Sequence, residues 1–289
     1  EQVEDPKLTK GMVKREVVQL VTPGTVMDGK SLAAKENIFL SALSYQAGQF
    51  GFSYVDLSTG ELKTTVLADE ESVLNEASIL QTKEIVYTTE IPEKLTQTLK
   101  QRLSLVISFQ LEANENAELS FLTNQLQSDI EKTVTNHLLA YLSETQKRSL
   151  NHIQQAQSYQ VDHYLKMDYY SKFNLELSQA IRTGKKQGTL LWLLDETKTA
   201  MGARLLKQWL DRPLIHEKQI LSRQEMVASL ITSFFEREDI IQGLTKVYDL
   251  ERLAGKVSFG SVNARDLLQL KQSLAQIPYL RQVLMGIDQ

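Results

Sequence analysis

TGKKQGTLLWLLDETKTAMGARLLKQWLDRP, residues 183–213, decides how the rest of the chain is read. Leu190, Leu191, Trp192, Leu193 and Leu194 form a short apolar run. Thr189 stands where its hydroxyl can accept from the free amides of a first helical turn. Asp195, Glu196 and Thr197 break the run, and Thr199 is placed to cap a second helix. There Met201, Leu205 and Trp209 recur every fourth residue with Leu206 and Leu210 alongside, which makes one apolar face. Gly202 and Ala203 leave the adjoining surface nearly bare, so another backbone can approach. Arg204, Lys207 and Arg212 put charge outside the stripe, and Pro213 ends the helix, since the residue before a proline is pushed out of the α region. The pattern predicts a helical corner buried in a core. Nothing in it has the form of a catalytic site.

The chain has 289 residues, enough for about two domains, and its 42% hydrophobic content supports a sizeable core. Cysteine is absent, which excludes a disulfide framework and thiolate metal sites and suits a reducing, cytoplasmic setting. The opening EQVEDPKLTK is charged and lacks the apolar core of a signal peptide. No apolar run approaches the roughly 18 residues that span a membrane. A net charge of −4 gives no global drive toward nucleic acid. Charge is uneven, however: residues 61–120 hold 11 acids and 5 bases, and residues 181–225 hold 9 bases and 5 acids. Such faces are usually solvated, but a local basic face can sit near DNA or an acidic partner.

Residues 1–22 read as the edge of an excised piece, polar first and then strand-like over Val17–Val21. Gly24, Gly29, Lys30 and Ser31 satisfy G-x-x-x-x-G-K-S. In a true phosphate loop the amides cradle phosphates, the lysine reaches the β/γ positions and the serine binds Mg²⁺. A phosphate-loop domain needs several parallel strands alternating with helices, whereas the second half of this chain is helix after helix. The match is therefore read as accidental, with a phosphate-loop nucleotidase as the alternative function. Strands are expected over Ile38–Leu43, Phe50–Leu57 and Glu61–Leu67, with Ser58, Thr59 and Gly60 as a turn. A helix over Asp69–Leu80, a strand over Glu84–Thr88, a helix from Pro92 to about Leu103 and a strand over Leu105–Phe109 follow. This β-β-β-α-β-α-β order predicts a mixed sheet with helices packed on it, as in ribonuclease-H-like folds.

Such sheets can carry two-metal nuclease sites. Asp56, Asp69, Glu70 and Glu71 are available, but Asp56 adjoins a turn and the others sit where acids favour a helix dipole. Residues 118–153 read as long helical material after a loop at Asn114 and Asn116. Its stripe runs Ile130, Val134, Leu138, Tyr141, Leu142 and continues to Leu150 and Ile153. Tyr159, Val161 and Tyr164 suggest extended chain. Asp168 is placed to cap the turn into Ser171–Ser178, where Phe173, Leu175 and Leu177 are core candidates. His137, His152, His163 and His216 show no metal-ligand spacing. The remainder is helical. Stripes run from about residue 217 through Phe234, from Ile240 through Val257, and from a capping box at Asn263 and Asp266 to Ile277, with Pro278 at its end.

Several of these stretches resemble the MutS family of DNA mismatch-repair proteins. Asn174–Leu177, Gly188–Leu214, Asp249–Leu253 and Asn263–Leu267 are similar to that family's lever, and Tyr141–Lys147 to the helix leaving its connector domain. Val21–Thr25 and Asp56–Glu61 are similar to the start and middle of the connector, and Glu1–Lys7 to the close of the mismatch-binding domain. The matches occur in family order over nearly the whole chain. The resemblance implies an α/β unit followed by mostly α: a tail of the mismatch-binding domain over 1–22, a ribonuclease-H-like connector over 23–153 and the first part of an all-helical lever over 154–289. Asp168, Asn174, Leu175, Asp195, Thr199, Met201, Gly202, Arg204, Leu206, Trp209 and Pro213 are the structural signature it points to. It implies no catalytic residue, cofactor or metal in this chain. In the parent it implies a dimer that binds ATP and Mg²⁺, closes on DNA as a sliding clamp and recruits MutL. The family's Phe-x-Glu mismatch wedge, its DNA clamp and its ATPase domain are expected outside these residues. The chain's expected part is mechanical: to transmit change between the two ends and to offer MutL a surface.

Overall fold

The computed structural model describes residues 15–287 apart from 18, 27–32, 88–90, 111–118 and 148. Turn chemistry and alternation build its sheet. β1 (Phe39–Gln46), β2 (Gln49–Asp56) and β3 (Glu61–Leu67) form an antiparallel meander. The first turn places Ala47 at φ 51° and Gly48 at φ 82°, the two left-handed residues that a tight twisted hairpin requires. In the second turn the Asp56 carboxylate accepts from the Ser58 amide at 2.8 Å and the Ser58 hydroxyl at 2.7 Å. Gly60 closes it at φ 78°, where a Cβ would lie 2.2 Å from the His152 carbonyl oxygen.

α1 (Glu70–Leu80), β4 (Glu84–Tyr87), α2 (Glu93–Leu103) and β5 (Val106–Phe109) follow, which is the expected order. The two later strands add in parallel beside β1, and β6 (Gln157–Ser158) adds in parallel beside β3, giving a mixed sheet of order β5-β4-β1-β2-β3-β6. Both faces are covered. Phe39, Leu43, Phe52 and Tyr54 pack with Val73 and Ala77 of α1 and with Leu95 and Leu99 of α2. Leu40, Ala42, Val55 and Leu57 pack with Val134, Leu138 and Leu142 of α3 (Asp129–Gln146) on the opposite face.

Four expectations about elements need correction. Val17 and Gln19–Val21 form no strand; instead the Leu20 amide donates to the Thr145 carbonyl at 2.7 Å. The helical material expected through 118–153 reduces to a single 3-10 turn at Ser120–Thr123 and to α3, which ends where Lys147 turns left-handed at φ 47°. Leu150 and Ile153 lie in the irregular chain that follows and are buried in the core shared by the sheet and α3; Asn114 and Asn116 lie outside the described residues. β6 lies past residue 153, in the part expected to be all helical. Pro278 does not end its helix but sits inside it.

The second half comprises α4 (Tyr169–Asn174), α5 (Leu190–Leu194), α6 (Ala200–Asp211), α7 (Glu217–Thr232), α8 (Phe234–Leu244), α9 (Leu250–Ser258) and α10 (Ala264–Ile287). The expected caps form: Thr189 accepts from the Trp192 amide at 3.1 Å and Thr199 from the Gly202 amide at 3.0 Å. Asn263 and Asp266 exchange reciprocal bonds of 3.0 and 3.2 Å. α10 runs on past Pro278 because the residues just beyond it are held: bare Gly243 of α8 lets Leu280 and Tyr279 pack directly on it.

The buried corner is the largest correction. In α5 only Leu191 is buried; Trp192 is 52% exposed and Leu193 68%. In α6 Leu205 is half exposed and Trp209 is 39% exposed, its ring capped on one side by the Arg223 guanidinium 3.6 Å from the centroid. Phe173 and Leu175 are exposed as well. What α6 buries is Ala203, Arg204 and Asp211. The helix turns its charged edge inward because the oppositely charged partners are there.

A charged seam between the sheet and the helices as the candidate functional site

Arg204 projects from α6 to the start of α9 and to the segment that enters β1. Its guanidinium donates to both Asp249 carboxylate oxygens at 2.7 and 2.8 Å, to Glu251 at 2.6 Å and to the Ala34 carbonyl at 2.9 Å. The two-pronged match to Asp249 uses the planar fork that only arginine has. Burial alone would lower the Arg204 pKa, but the bonds to Asp249 and Glu251 outweigh it and hold the group above its usual value. Asp249 also caps α9, accepting from the Arg252 amide at 3.3 Å. The Arg252 side chain donates to the carbonyls of Ala33 and Glu36. Two arginines of the helical part thus grip residues 33–36 by main-chain oxygens.

Asp195, at the α5–α6 corner, holds the same segment from the other side. It accepts from Lys35 at 3.0 Å, from Lys186 and from the Thr197 amide and hydroxyl. Burial pushes its carboxyl up, but these bonds dominate and hold it well below the usual carboxylate range.

A second joint lies at the far end of α6. Arg212 pairs with Glu76 of α1, with its Nη1 3.3 Å from the second carboxylate oxygen. Tyr159 donates to Glu76 at 2.5 Å, and the guanidinium lies over the Tyr159 and Tyr164 rings at 5.1 and 5.7 Å. Beside it Asp211 holds Lys172 at 2.6 Å and Lys207 at 2.9 Å. Burial drives the Lys172 pKa down, only partly countered by Asp211.

The third contact is close packing. Gly255 of α9 lies so near the β2–β3 turn that a Cβ would be 2.8 Å from the Ser58 carbonyl oxygen. Phe259 enters the core beneath α3, edge-on to His152 at 5.1 Å. His152 Nε2 lies 2.7 Å from the Leu57 carbonyl, so Nε2 carries the proton and buried Nδ1 has no partner.

The expected signature thus divides. Asp195, Thr199, Gly202 and Arg204 meet in the seam or build it. Met201 lines the cleft beside Glu61 and Glu251, Leu206 is half-buried, and Trp209 flanks the second joint. Asp168 caps α4 by accepting from the Ser171 amide at 2.8 Å, Asn174 ends that helix, and Pro213 accepts from the Leu165 amide at 2.8 Å. Glu76 and the arginine grip on residues 33–36 had no sequence signal, since each partner is distant in the chain; of the two partners of Asp211, Lys207 is one helical turn away and Lys172 is distant. Arg252, three residues after the cap Asp249, offered the nearest hint.

Around the literal phosphate-loop match, Gly24 donates its amide to Glu84 at 3.2 Å. Glu84 is fully buried and also accepts from Ser108 and Tyr141, each at 2.7 Å. Burial, then the Glu84 contact, pushes the Tyr141 phenol up to about 12. The Gly24 amide is thus taken up by a carboxylate. Gly29, Lys30 and Ser31 lie outside the described residues. Asp56 is committed to its turn and to Asn37 at 2.7 Å, and Asp69 caps α1 through the Ser72 amide at 2.8 Å. Among the described residues no group of three or more His, Asp or Glu is placed to hold a metal, and no helix is long and apolar enough to cross a membrane.

The seam is built from ion pairs and hydrogen bonds among its own side chains. Its chemistry is that of attachment: buried ion pairs cost desolvation, tolerate little misplacement and lose several kcal/mol if one partner is removed. Comparison with known proteins gives the family. Family models described as MutS domain I, MutS domain II and MutS domain III match residues 1–30, 37–154 and 171–289. A DNA mismatch repair protein MutS from Listeria innocua is 54% identical over 290 aligned residues, covering 100% of this chain and 34% of that protein. The Geobacillus sp. (strain WCH70) protein of the same name is 54% identical over 284 residues, covering 98% of the chain and 33% of that protein. The one from Bacillus licheniformis is 50% identical over 288 residues, with 100% and 33% covered. The chain therefore spans about a third of the length of these relatives. Three domain models of one family, matched in order across nearly every residue, show that the chain belongs to the MutS family.

Proposed function

We propose that this chain is a non-catalytic middle segment of a DNA mismatch-repair protein. It carries conformational change between an ATP-hydrolysing end and a DNA-binding end, and its sheet unit offers a surface to MutL. The reading takes residues 1–22 as the tail of the mismatch-binding domain, 23–153 as a ribonuclease-H-like connector and 154–289 as the first part of the lever. It places the whole protein in the cytoplasm as a homodimer, with ATP, Mg²⁺ and most DNA contacts belonging to other segments. The seam carries the reading. Coupling between distant sites needs packed elements with discrete arrangements, and Arg204, Arg212 and Arg252 tie the helices to the sheet by oriented bonds that break rather than stretch.

Two measurements test it. Placed in a full-length MutS protein, Arg204→Gln should weaken the effect of ATP on DNA release while leaving ATP turnover in place; an unchanged ATP effect refutes transmission through the seam. The 289-residue chain alone should be retained by immobilised MutL, show no preference for mismatched over matched duplexes and turn over no ATP. Turnover abolished by Lys30→Ala would establish the nucleotidase alternative at Gly24–Ser31 instead.

A further inference from the structure

A cleft of about 550 Å³ opens between the C-terminal ends of α1 and α2 on one side and the helical part on the other. Its volume is in the range of small-ligand sites. Three cations reach it from the sheet side, Lys35, Lys83 and Arg102, and three from the helical side, Lys172, Lys186 and Lys207. Three carboxylates stand among them. Asp195 is shared by Lys35 and Lys186, Asp211 is shared by Lys172 and Lys207, and Glu36 lines the wall. Six cations against three carboxylates leave the cleft positive, in a chain whose net charge is −4. No ion pair among the described residues engages Lys83 or Arg102, and both are exposed. Arg102 partly offsets the negative helix end of its own last turn; Lys83 sits in the loop entering β4. The Lys172 amine is nine-tenths buried with three donors and a single carboxylate oxygen in range.

We propose that this cleft binds a phosphate-bearing anion that bridges the two halves of the chain. The shared chemistry is a phosphodiester or pyrophosphate group held by amines from both walls. Occupancy would therefore stiffen the seam, since a ligand touching both sides removes freedom from the joint between them.

The test uses the 289-residue chain with sodium pyrophosphate and, separately, a short single-stranded oligonucleotide, by calorimetric titration at fixed ionic strength. Saturable binding is expected, weakened at least tenfold in the Lys83→Ala/Arg102→Ala double variant. A Lys246→Ala/Lys271→Ala control, which removes two exposed cations outside the cleft, should leave it unchanged. If the source is a nucleic-acid backbone, pyrophosphate competes with the oligonucleotide and the double variant lowers the salt slope by about 1.4. If it is a free phosphate compound, only pyrophosphate binds saturably. Absence of saturable binding by either probe, or equal losses in the double variant and the control, overturns the proposal.

Discussion

Replacing Arg212 with alanine probes the second joint most directly. The Glu76 carboxylate, 4% exposed, would keep only the 2.5 Å bond from Tyr159. Breaking a buried ion pair from one side costs about 3–5 kcal/mol, because a charge is left buried and unpaired. The cation–π contacts over Tyr159 and Tyr164 add about 1 kcal/mol. Water entering from the adjoining cleft of about 560 Å³ recovers part of the loss by rehydrating the carboxylate. The net expectation is about 4 kcal/mol, a large share of the 5–15 kcal/mol that ordinarily holds a protein folded. Urea unfolding followed by both circular dichroism and tryptophan fluorescence measures it, provided the two transitions coincide. Because most of the penalty is the orphaned charge, Glu76→Gln in the Arg212→Ala background should restore about 2 kcal/mol. A loss under about 1 kcal/mol, or no restoration by the neutral glutamine, would refute the view that this pair ties α6 to α1.

Other expectations follow from the same contacts. Gly255→Ala should destabilise by about 1–2 kcal/mol: overpacking against the Ser58 carbonyl exceeds the helix-propensity gain of about 1 kcal/mol, and a more stable variant in urea would refute the close approach. Trp209→Ala should cost about 2 kcal/mol in the same assay, below the 3–5 of a fully buried indole; a loss above about 4 would mean the ring is covered in solution. Stability should fall as pH drops below about 6.5. Burial holds the His152 and His137 pKa values below 6.5, so the unfolded chain takes up protons that the folded one resists. Chemical denaturation at pH 7.5 and 5.5 reads this slope, and His152→Gln should flatten it.

The sheet was legible because its signals are local. Alternation in β2, the turn at Ser58–Gly60 and the caps at Asp69, Thr189 and Thr199 each act within a few residues, so the order of elements followed from short windows. The orientation of α6 was not. A stripe at Met201, Leu205 and Trp209 states which face is apolar, and says nothing of whether a partner covers it. The competing edge, with Arg204 and Asp211, wins the interior because Asp249, Lys172 and Lys207 neutralise it there, and those residues are 35 or more positions away or lie on the same edge. Pro278 misled for a similar reason: a local stop signal was overridden by packing of Tyr279 and Leu280 on Gly243. For the seam, resemblance supplied Arg204 and Asp195, and their partners became visible only in three dimensions.

Arg204 and Arg252 reach residues 33, 34 and 36 through carbonyl oxygens, which every amino acid supplies. The address of this attachment is therefore written on one partner only. Mutation can change the identities at Ala33, Ala34 and Glu36 without erasing the acceptors, as long as the chain path is kept, whereas losing either guanidinium removes donors that no neighbour can replace. Drift should be permissive at positions 33, 34 and 36, and severe at the two arginines.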